Sequence, residues 1–167
     1  MTMHADTSDA SIEVVRLAAP DTHGLRAAVL RHDTPTDDVE FPEDLWPGVL
    51  HLGLRADGEL VAVSTWVPRP APAALALHDE GADSALNVQL RGMATARALQ
   101  GHGLGGRLLE AGCAEMARQG AVLVWANARD AALAFYTRHA FEAKGDGFVE
   151  PITQLPHHVI VRRLTAG

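Results

Sequence analysis

A glycine-rich turn two thirds along the chain limits the folds open to it more than any other segment. Its residues are Gln100, Gly101, His102, Gly103, Leu104, Gly105 and Gly106. A strand that ends in such a turn and opens a helix presents free backbone N–H groups and the positive end of the helix to an anion. The glycines remove side chains that would hold a phosphate away, and Arg107 adds a positive charge. The turn therefore predicts a diphosphate-binding loop.

The segments on either side of the turn support this interpretation. Residues 85–95 alternate apolar and polar side chains as far as Leu90, and the alternation resumes on the opposite parity at Met93 and Thr95, after Gly92. A change of parity at glycine indicates a β-bulge. After the turn, apolar residues recur at helical spacing and predict an amphipathic helix that ends at Gly120. A bulged strand should thus lead through the loop into a helix.

Periodicity elsewhere predicts a mixed α/β sheet. The Asp57-Gly58 step predicts a hairpin turn, and the polar, proline-broken residues 32–47 predict an acidic loop without a core element. The remaining predicted strands are 12–17, 49–55, 60–67, 121–126, 141–149 and 157–164, and the remaining predicted helices are 21–31 and 130–139.

Length and composition narrow the classes of protein. A chain of 167 residues predicts one compact domain over residues 11–167, with residues 1–10 as a disordered tail that lacks the features of a secretory signal. No apolar run is long enough to span a membrane, and the single cysteine, Cys113, fits a reducing cytoplasm. A net charge of -7 argues against a nonspecific nucleic-acid binder. The spacing of the nine histidines predicts no metal site.

Three phosphate-binding signatures compete for the loop. A P-loop is excluded because no Gly-Lys-Ser or Gly-Lys-Thr follows the turn. The dinucleotide pattern is present as Gly101, Gly103 and Gly106, but the next strand closes on Asn127 instead of an acid. A nicotinamide-dependent enzyme therefore remains only an unfavoured alternative.

The third signature, Gln100-x-x-Gly103-x-Gly105, resembles the motif of the GNAT family of acetyltransferases. The bulged strand before it, and Tyr136 followed by Phe141 after the next strand, extend the resemblance over most of the chain. One position differs from the family's motif, because Ala140 stands where the family has glycine. If Ala140 must adopt a left-handed backbone, the substitution costs about 1 kcal/mol.

The resemblance implies a single acetyltransferase domain with a mixed, mostly antiparallel central sheet, helices on both faces, and a bulged fourth strand splayed from its neighbour. It implies acetyl-CoA as co-substrate, no metal, and Tyr136 as the general acid that protonates the departing thiolate. Asn127 is expected to bind cofactor amide groups, to cap the following helix, or both. The predicted cofactor-binding residues are Met93, Ala94, Thr95, Gln100, Gly101, His102, Gly103, Leu104, Gly105, Gly106, Arg107 and Asn127.

The expected reaction is direct attack on the thioester by a primary amine of a small molecule or protein. Glu150 is the first candidate for the base, with His157, His158 and Glu40 as others. The acidic residues of 37–44 and Glu150 favour a cationic acceptor. A noncatalytic acyl-CoA sensor is the main alternative, and the family resemblance makes a homodimer an expectation.

Overall fold

The structure is a computed structural model that describes residues 11–75 and 86–165. The predicted tail, residues 1–10, lies outside the described residues. Seven strands are described: β1 (Ile12–Leu17), β2 (Leu50–Ala56), β3 (Glu59–Pro68), β4 (Leu86–Thr95), β5 (Ala121–Arg129), β6 (Glu142–Val149) and β7 (Pro156–Arg163). The α-helices are α1 (His23–Leu25), α2 (Leu104–Arg118) and α3 (Leu133–Arg138).

The strands form one sheet in the order β1-β2-β3-β4-β5-β7-β6. Its neighbouring strands are antiparallel except for β4 and β5, which are parallel and joined through α2. The mostly antiparallel sheet is therefore confirmed. The predicted helix at 21–31 is less regular than expected, because α1 lies between a 3₁₀ turn (Ala19–Thr22) and a π-helical turn (Arg26–Leu30).

The fourth strand is bulged and splayed, as predicted. Two steps along β3, from Val63 to Thr65, match three steps along β4, from Ala94 to Arg91, and Gly92 lies within the extra step with φ +61°. Pairing between β4 and β5 ends at Gln89 and its partner on β5, although β4 continues to residue 95 and β5 to residue 129. The two strands thus part in the middle of the sheet.

Helices cover both faces of the sheet, which confirms the predicted layers. On one face α2 lies so close to β3 that a Cβ added at Gly112 would stand 1.9 Å from Cζ2 of Trp66. The neighbouring residue Thr65 points to the opposite face because side chains alternate along a strand. There its hydroxyl oxygen accepts a 2.7 Å hydrogen bond from Arg26, in the helical turn after α1.

The acidic segment is more deeply embedded than predicted. Residues 32–47 contain a 3₁₀ turn, Pro42–Leu45, in which Glu43 and Asp44 are buried. Arg26 donates to both carboxylate oxygens of Asp44 at 2.7 and 2.9 Å, and Arg91 donates to Glu43 at 2.6 Å. Buried carboxylates are stable when a cation and hydrogen bonds compensate their desolvation. The expectation of a loop without core residues was therefore wrong.

Ala140 has a left-handed backbone, with φ +64°, at the position where the resembled family has glycine. We expect Ala140→Gly to raise the free energy of unfolding by about 0.5–1 kcal/mol, because relief of the left-handed strain exceeds the added entropy of the unfolded chain. Chemical denaturation of the two proteins measures the difference. Ala114→Gly, on the exposed side of α2, is the matched control and should lower stability by about 1 kcal/mol. Equal destabilisation by both substitutions would contradict the strain.

Candidate active site

Two cavities meet where β4 and β5 part. The larger, of about 730 Å³, lies beside the glycine loop and the start of α2. The smaller, of about 230 Å³, lies between the unpaired ends of β4 and β5. Met93, Ala132 and Tyr136 line both cavities. The two cavities are therefore adjacent.

Most of the predicted cofactor residues line the larger cavity. They are Met93, Ala94, Thr95, Gln100, Gly101, Gly103, Gly105, Gly106 and Arg107. His102 is exposed, and neither it nor Leu104 is among the lining residues. Whether any of these residues contacts the cofactor stays a prediction.

The four loop glycines have two different physical roles. Gly101 and Gly103 have φ of +84° and +80°, and a Cβ at either would meet no atom within 4 Å, so they set the path of the backbone. Gly105 and Gly106 lie within α2, where a Cβ would stand 2.9 Å from Thr95 Oγ1 and 2.7 Å from His139 Nε2, respectively. The second pair allows the helix to pack closely. The sequence interpretation had given all four the same role.

The start of α2 presents donors to the larger cavity. The N–H of Arg107 donates to the carbonyl of Gly103 at 3.1 Å as the helix begins, so the N–H groups of residues 104–106 have no acceptor within the helix. Within the described parts of the chain, no side chain caps Gly103, and no acid stands in the first turn of α2. Free N–H groups and the helix dipole favour an anion here.

The splayed edge of β4 supplies further backbone groups. The N–H of Ala96 donates to Val61 on β3 at 2.8 Å. Because successive residues of a strand direct their backbone groups to opposite edges, those of Met93 and Thr95 face the gap. The Gln100 side chain donates to the carbonyl of Thr95 at 3.0 Å and thereby ties the loop to this strand.

Tyr136 lies on α3, between the two cavities. It is buried, and its ring packs edge-on against Phe135 and Phe141 at centroid distances of 5.0 and 5.4 Å. Burial raises the pKa of the phenol well above its ordinary value, because the ionised form would lose its hydration. The hydroxyl therefore stays protonated and can serve as a proton donor.

Asn127 lies at the smaller cavity, within β5 and not at its end. The 3₁₀ turn Asp130–Ala132 that precedes α3 begins after Arg129, and it has no side-chain cap among the described residues. The interpretation of Asn127 as a helix cap was therefore wrong, because β5 runs three residues further than its apolar pattern indicated. A contact between Asn127 and the cofactor stays a prediction.

The Glu150 carboxylate lines the smaller cavity but is already engaged. It accepts hydrogen bonds from the N–H of Ile152 at 3.0 Å and from the N–H and hydroxyl of Thr153 at 2.7 and 2.8 Å. Burial alone would raise the pKa of Glu150, but these hydrogen bonds outweigh it and hold the pKa below its ordinary value. The geometry thus favours a structural turn over a base at this position.

His157 offers a better proton acceptor in the same cavity. Its ring is buried and stacks on Phe148, and its Nδ1 lies 2.8 Å from the carbonyl oxygen of Leu155. A carbonyl only accepts, so the neutral ring carries its proton on Nδ1 and leaves the lone pair on Nε2. His158 points to the opposite face of β7, where its Nδ1 lies 2.6 Å from Asp130, and Glu40 is exposed outside the cavity lining.

Comparison with known proteins assigns the chain to a family. The model of the acetyltransferase (GNAT) family matches residues 17–141. The chain belongs to this family. Its co-substrate is therefore an acyl-CoA and its acceptor an amine.

Individual relatives agree with the family assignment. An uncharacterized N-acetyltransferase, YitI of Bacillus subtilis strain 168, is 27% identical over 90% of this chain and 94% of that protein. A putative N-acetyltransferase from Lactobacillus plantarum superposes with a TM-score of 0.73 at 18% identity, covering 93% of this chain and 99% of that one. An acyl-CoA N-acyltransferase from Pseudomonas aeruginosa gives a TM-score of 0.68 at 23% identity, with coverage of 91% and 99%. The last two likenesses show the GNAT fold.

The sequence interpretation of this GNAT protein missed the arginines of its smaller cavity. Arg31, Arg91 and Arg129 line it, together with Phe41. These residues come from three distant segments and belong to no motif, so no local pattern indicates that they meet. In the larger cavity, Arg138 was also missed, although it lies on the same helix as Tyr136.

Two further observations concern membranes and metals. Within residues 11–75 and 86–165, no helix is long and apolar enough to cross a membrane. The same residues bring together no group of three His, Cys, Asp or Glu side chains that could hold a metal ion.

Proposed function

We propose that this GNAT protein transfers an acetyl group from acetyl-CoA to a primary amine of a small molecule or protein by direct attack. The observation that carries the proposal is Tyr136, a protonated phenol in the wall between a cavity with anion-binding features and a second, smaller cavity. One acetyltransferase domain over residues 11–167 and a location in the cytoplasm belong to the same proposal.

The larger cavity is the proposed site of the co-substrate. Its diphosphate would accept hydrogen bonds from the first turn of α2, with the charge of Arg107 nearby. The pantetheine arm would lie along the splayed edge of β4 and pair with backbone groups of Met93 and Thr95, as an added strand does. The N–H of Met93 would also polarise the thioester carbonyl.

The smaller cavity is the proposed site of the acceptor. The nitrogen of the neutral amine attacks the thioester carbon, and one of its protons passes to Nε2 of His157, which we assign as the base in place of Glu150. As the C–S bond breaks, the phenol of Tyr136 gives its proton to the departing thiolate. Each proton therefore has a named donor and acceptor.

Ligand-induced thermal stabilisation tests the choice of co-substrate. We expect acetyl-CoA at 100 times its dissociation constant to stabilise the protein by about 2.7 kcal/mol. NAD serves as the comparison ligand, and it should leave the melting temperature unchanged. Stabilisation by NAD and none by acetyl-CoA would reject the proposal. Stabilisation by acetyl-CoA without release of CoA to any amine would favour a noncatalytic sensor.

A further inference from the structure

Several arginines of this acidic protein lie around the smaller cavity. The chain has a net charge of -7, yet five of its 14 Lys and Arg residues surround or back the smaller cavity. Arg31, Arg91 and Arg129 line it. Arg26 stacks on the lining residue Phe41, and Arg69 shares a carboxylate with Arg91. Such a local excess of cations requires a counter-charge or a ligand that supplies one.

Three of these arginines have carboxylate partners within the protein. Asp44 takes both ends of the Arg26 guanidinium, and Glu43 lies 3.0 Å from Arg69 and 2.6 Å from Arg91. Two carboxylates therefore face three guanidinium groups, which leaves a net positive charge in this cluster.

The other two arginines, Arg31 and Arg129, have no carboxylate partner in the described part of the chain. Within the described residues, no carboxylate oxygen lies within 4.0 Å of Arg31 or Arg129. Each is oriented by a backbone carbonyl: Arg31 donates to Asp38 at 2.5 Å, and Arg129 donates to Leu30. A guanidinium has five donor hydrogens, so each retains donors for a ligand. They are fixed but not neutralised.

The electrostatic environment agrees with this geometry. The pKa of Arg129 lies below its usual value because of burial, and because Arg31 repels its charge, while Glu150 acts in the opposite direction. The Glu150 carboxylate, however, already accepts three hydrogen bonds from residues 152 and 153. A carboxylate of the ligand, in addition to that of Glu150, would reduce the repulsion between Arg31 and Arg129.

We infer that the acceptor of this enzyme is a primary amine that also carries a carboxylate, held by Arg31 and Arg129 while the amine faces His157. This inference rests on the proposed function, because it uses the smaller cavity as the acceptor site. It replaces the cationic acceptor that the acidic residues suggested. Glu43 and Asp44 form ion pairs with arginines of the protein, and Glu40 is exposed and does not line the cavity, so none of the three is placed to bind a cationic acceptor.

Matched acceptor pairs test the inference. Release of CoA from acetyl-CoA is measured with free amino acids, with their amides, with polyamines and with phosphoethanolamine. We expect the best acid to exceed its own amide in kcat/KM by about 10- to 100-fold, the usual range for a lost hydrogen-bonded charge. Equal rates with acids and amides, or faster transfer to polyamines, would overturn it. Preference for phosphoethanolamine would assign the arginines to a phosphate instead.

Variants then assign the preference to the two arginines. In Arg31→Gln and in Arg129→Gln the acid-to-amide ratio should fall towards one, with KM for acetyl-CoA unchanged. Arg55→Gln, near the β2–β3 hairpin and outside both cavity linings, is the control and should keep the wild-type ratio. A ratio unchanged in both cavity variants would overturn the role of these arginines.

A binding measurement separates failure of this inference from failure of the proposed function. If acetyl-CoA binds but no amine releases CoA, the proposed catalysis fails, while calorimetry on the CoA complex still compares each acid with its amide. We expect tighter binding of the acid, lost in Arg129→Gln. Equal affinities for acid and amide would overturn the inference, whatever the activity.

Discussion

Tyr136→Phe should lower kcat by a factor of about 100 to 10,000, the range that a positioned general acid contributes. The substitution removes one hydroxyl and keeps the ring, so the contacts with Phe135 and Phe141 should persist. The leaving thiolate would then depart without a proton from the enzyme. Steady-state CoA release at saturating acetyl-CoA and acceptor measures the loss.

The pH dependence of that loss is specific to a buried phenol. Burial raises the pKa of Tyr136, so the hydroxyl remains protonated through the alkaline range in which a free tyrosine would ionise. The ratio of wild-type to Tyr136→Phe kcat should therefore stay constant from about pH 6 to about pH 10. A ratio that collapses towards one near pH 10 would contradict the raised pKa.

Affinity for the co-substrate provides the control for Tyr136→Phe. The variant should bind acetyl-CoA and melt as the wild type does, because the hydroxyl is assigned to the transition state and not to binding. Unchanged kcat at every pH would remove Tyr136 from the mechanism. A large rise in the dissociation constant for acetyl-CoA would give the residue a binding role instead.

His157→Gln should lower kcat/KM for the acceptor by about 100-fold at neutral pH, because it removes the only proton acceptor that we assign in the smaller cavity. Steady-state CoA release at varied acceptor concentration measures kcat/KM in the two proteins.

The adjacent histidine gives a matched control for this variant. His158 makes its hydrogen bond with Asp130 on the other face of β7, so His158→Gln should keep the wild-type kcat/KM for the acceptor. Loss of the same magnitude in both variants would indicate damage to the strand, and an unaffected His157→Gln would return the search for the base to Glu150.

Local patterns account for what the sequence predicted correctly. The bulge was visible because a strand alternates its side chains, so one extra residue at Gly92 reverses the parity of Met93 and Thr95. The hairpin at Asp57-Gly58 and the helix after the glycine loop are likewise decided by residues close together in the chain, and the structure has both. Of these elements, the bulged strand and the helix after the loop line the larger cavity.

Pairings between distant residues account for what was missed. Asp44 and Arg26 are 18 positions apart, and Glu43 and Arg91 are 48 apart. Before these pairs are known, the segment around residue 43 is indistinguishable from a solvated acidic loop. The same holds for the smaller cavity, because Arg31 and Arg129 meet only after the chain has folded. The chemistry of the loop was therefore easier to predict than the character of the acceptor.

The parting of β4 and β5 has a consequence for how such a protein can diverge. Every residue except proline supplies the same backbone N–H, so a ligand held along a strand edge is recognised by groups that side-chain substitution does not remove. The walls of the smaller cavity, in contrast, consist of side chains such as Arg31 and Arg129, each of which a single substitution can replace. We therefore expect use of the acyl donor to persist among descendants of this chain while the choice of amine changes.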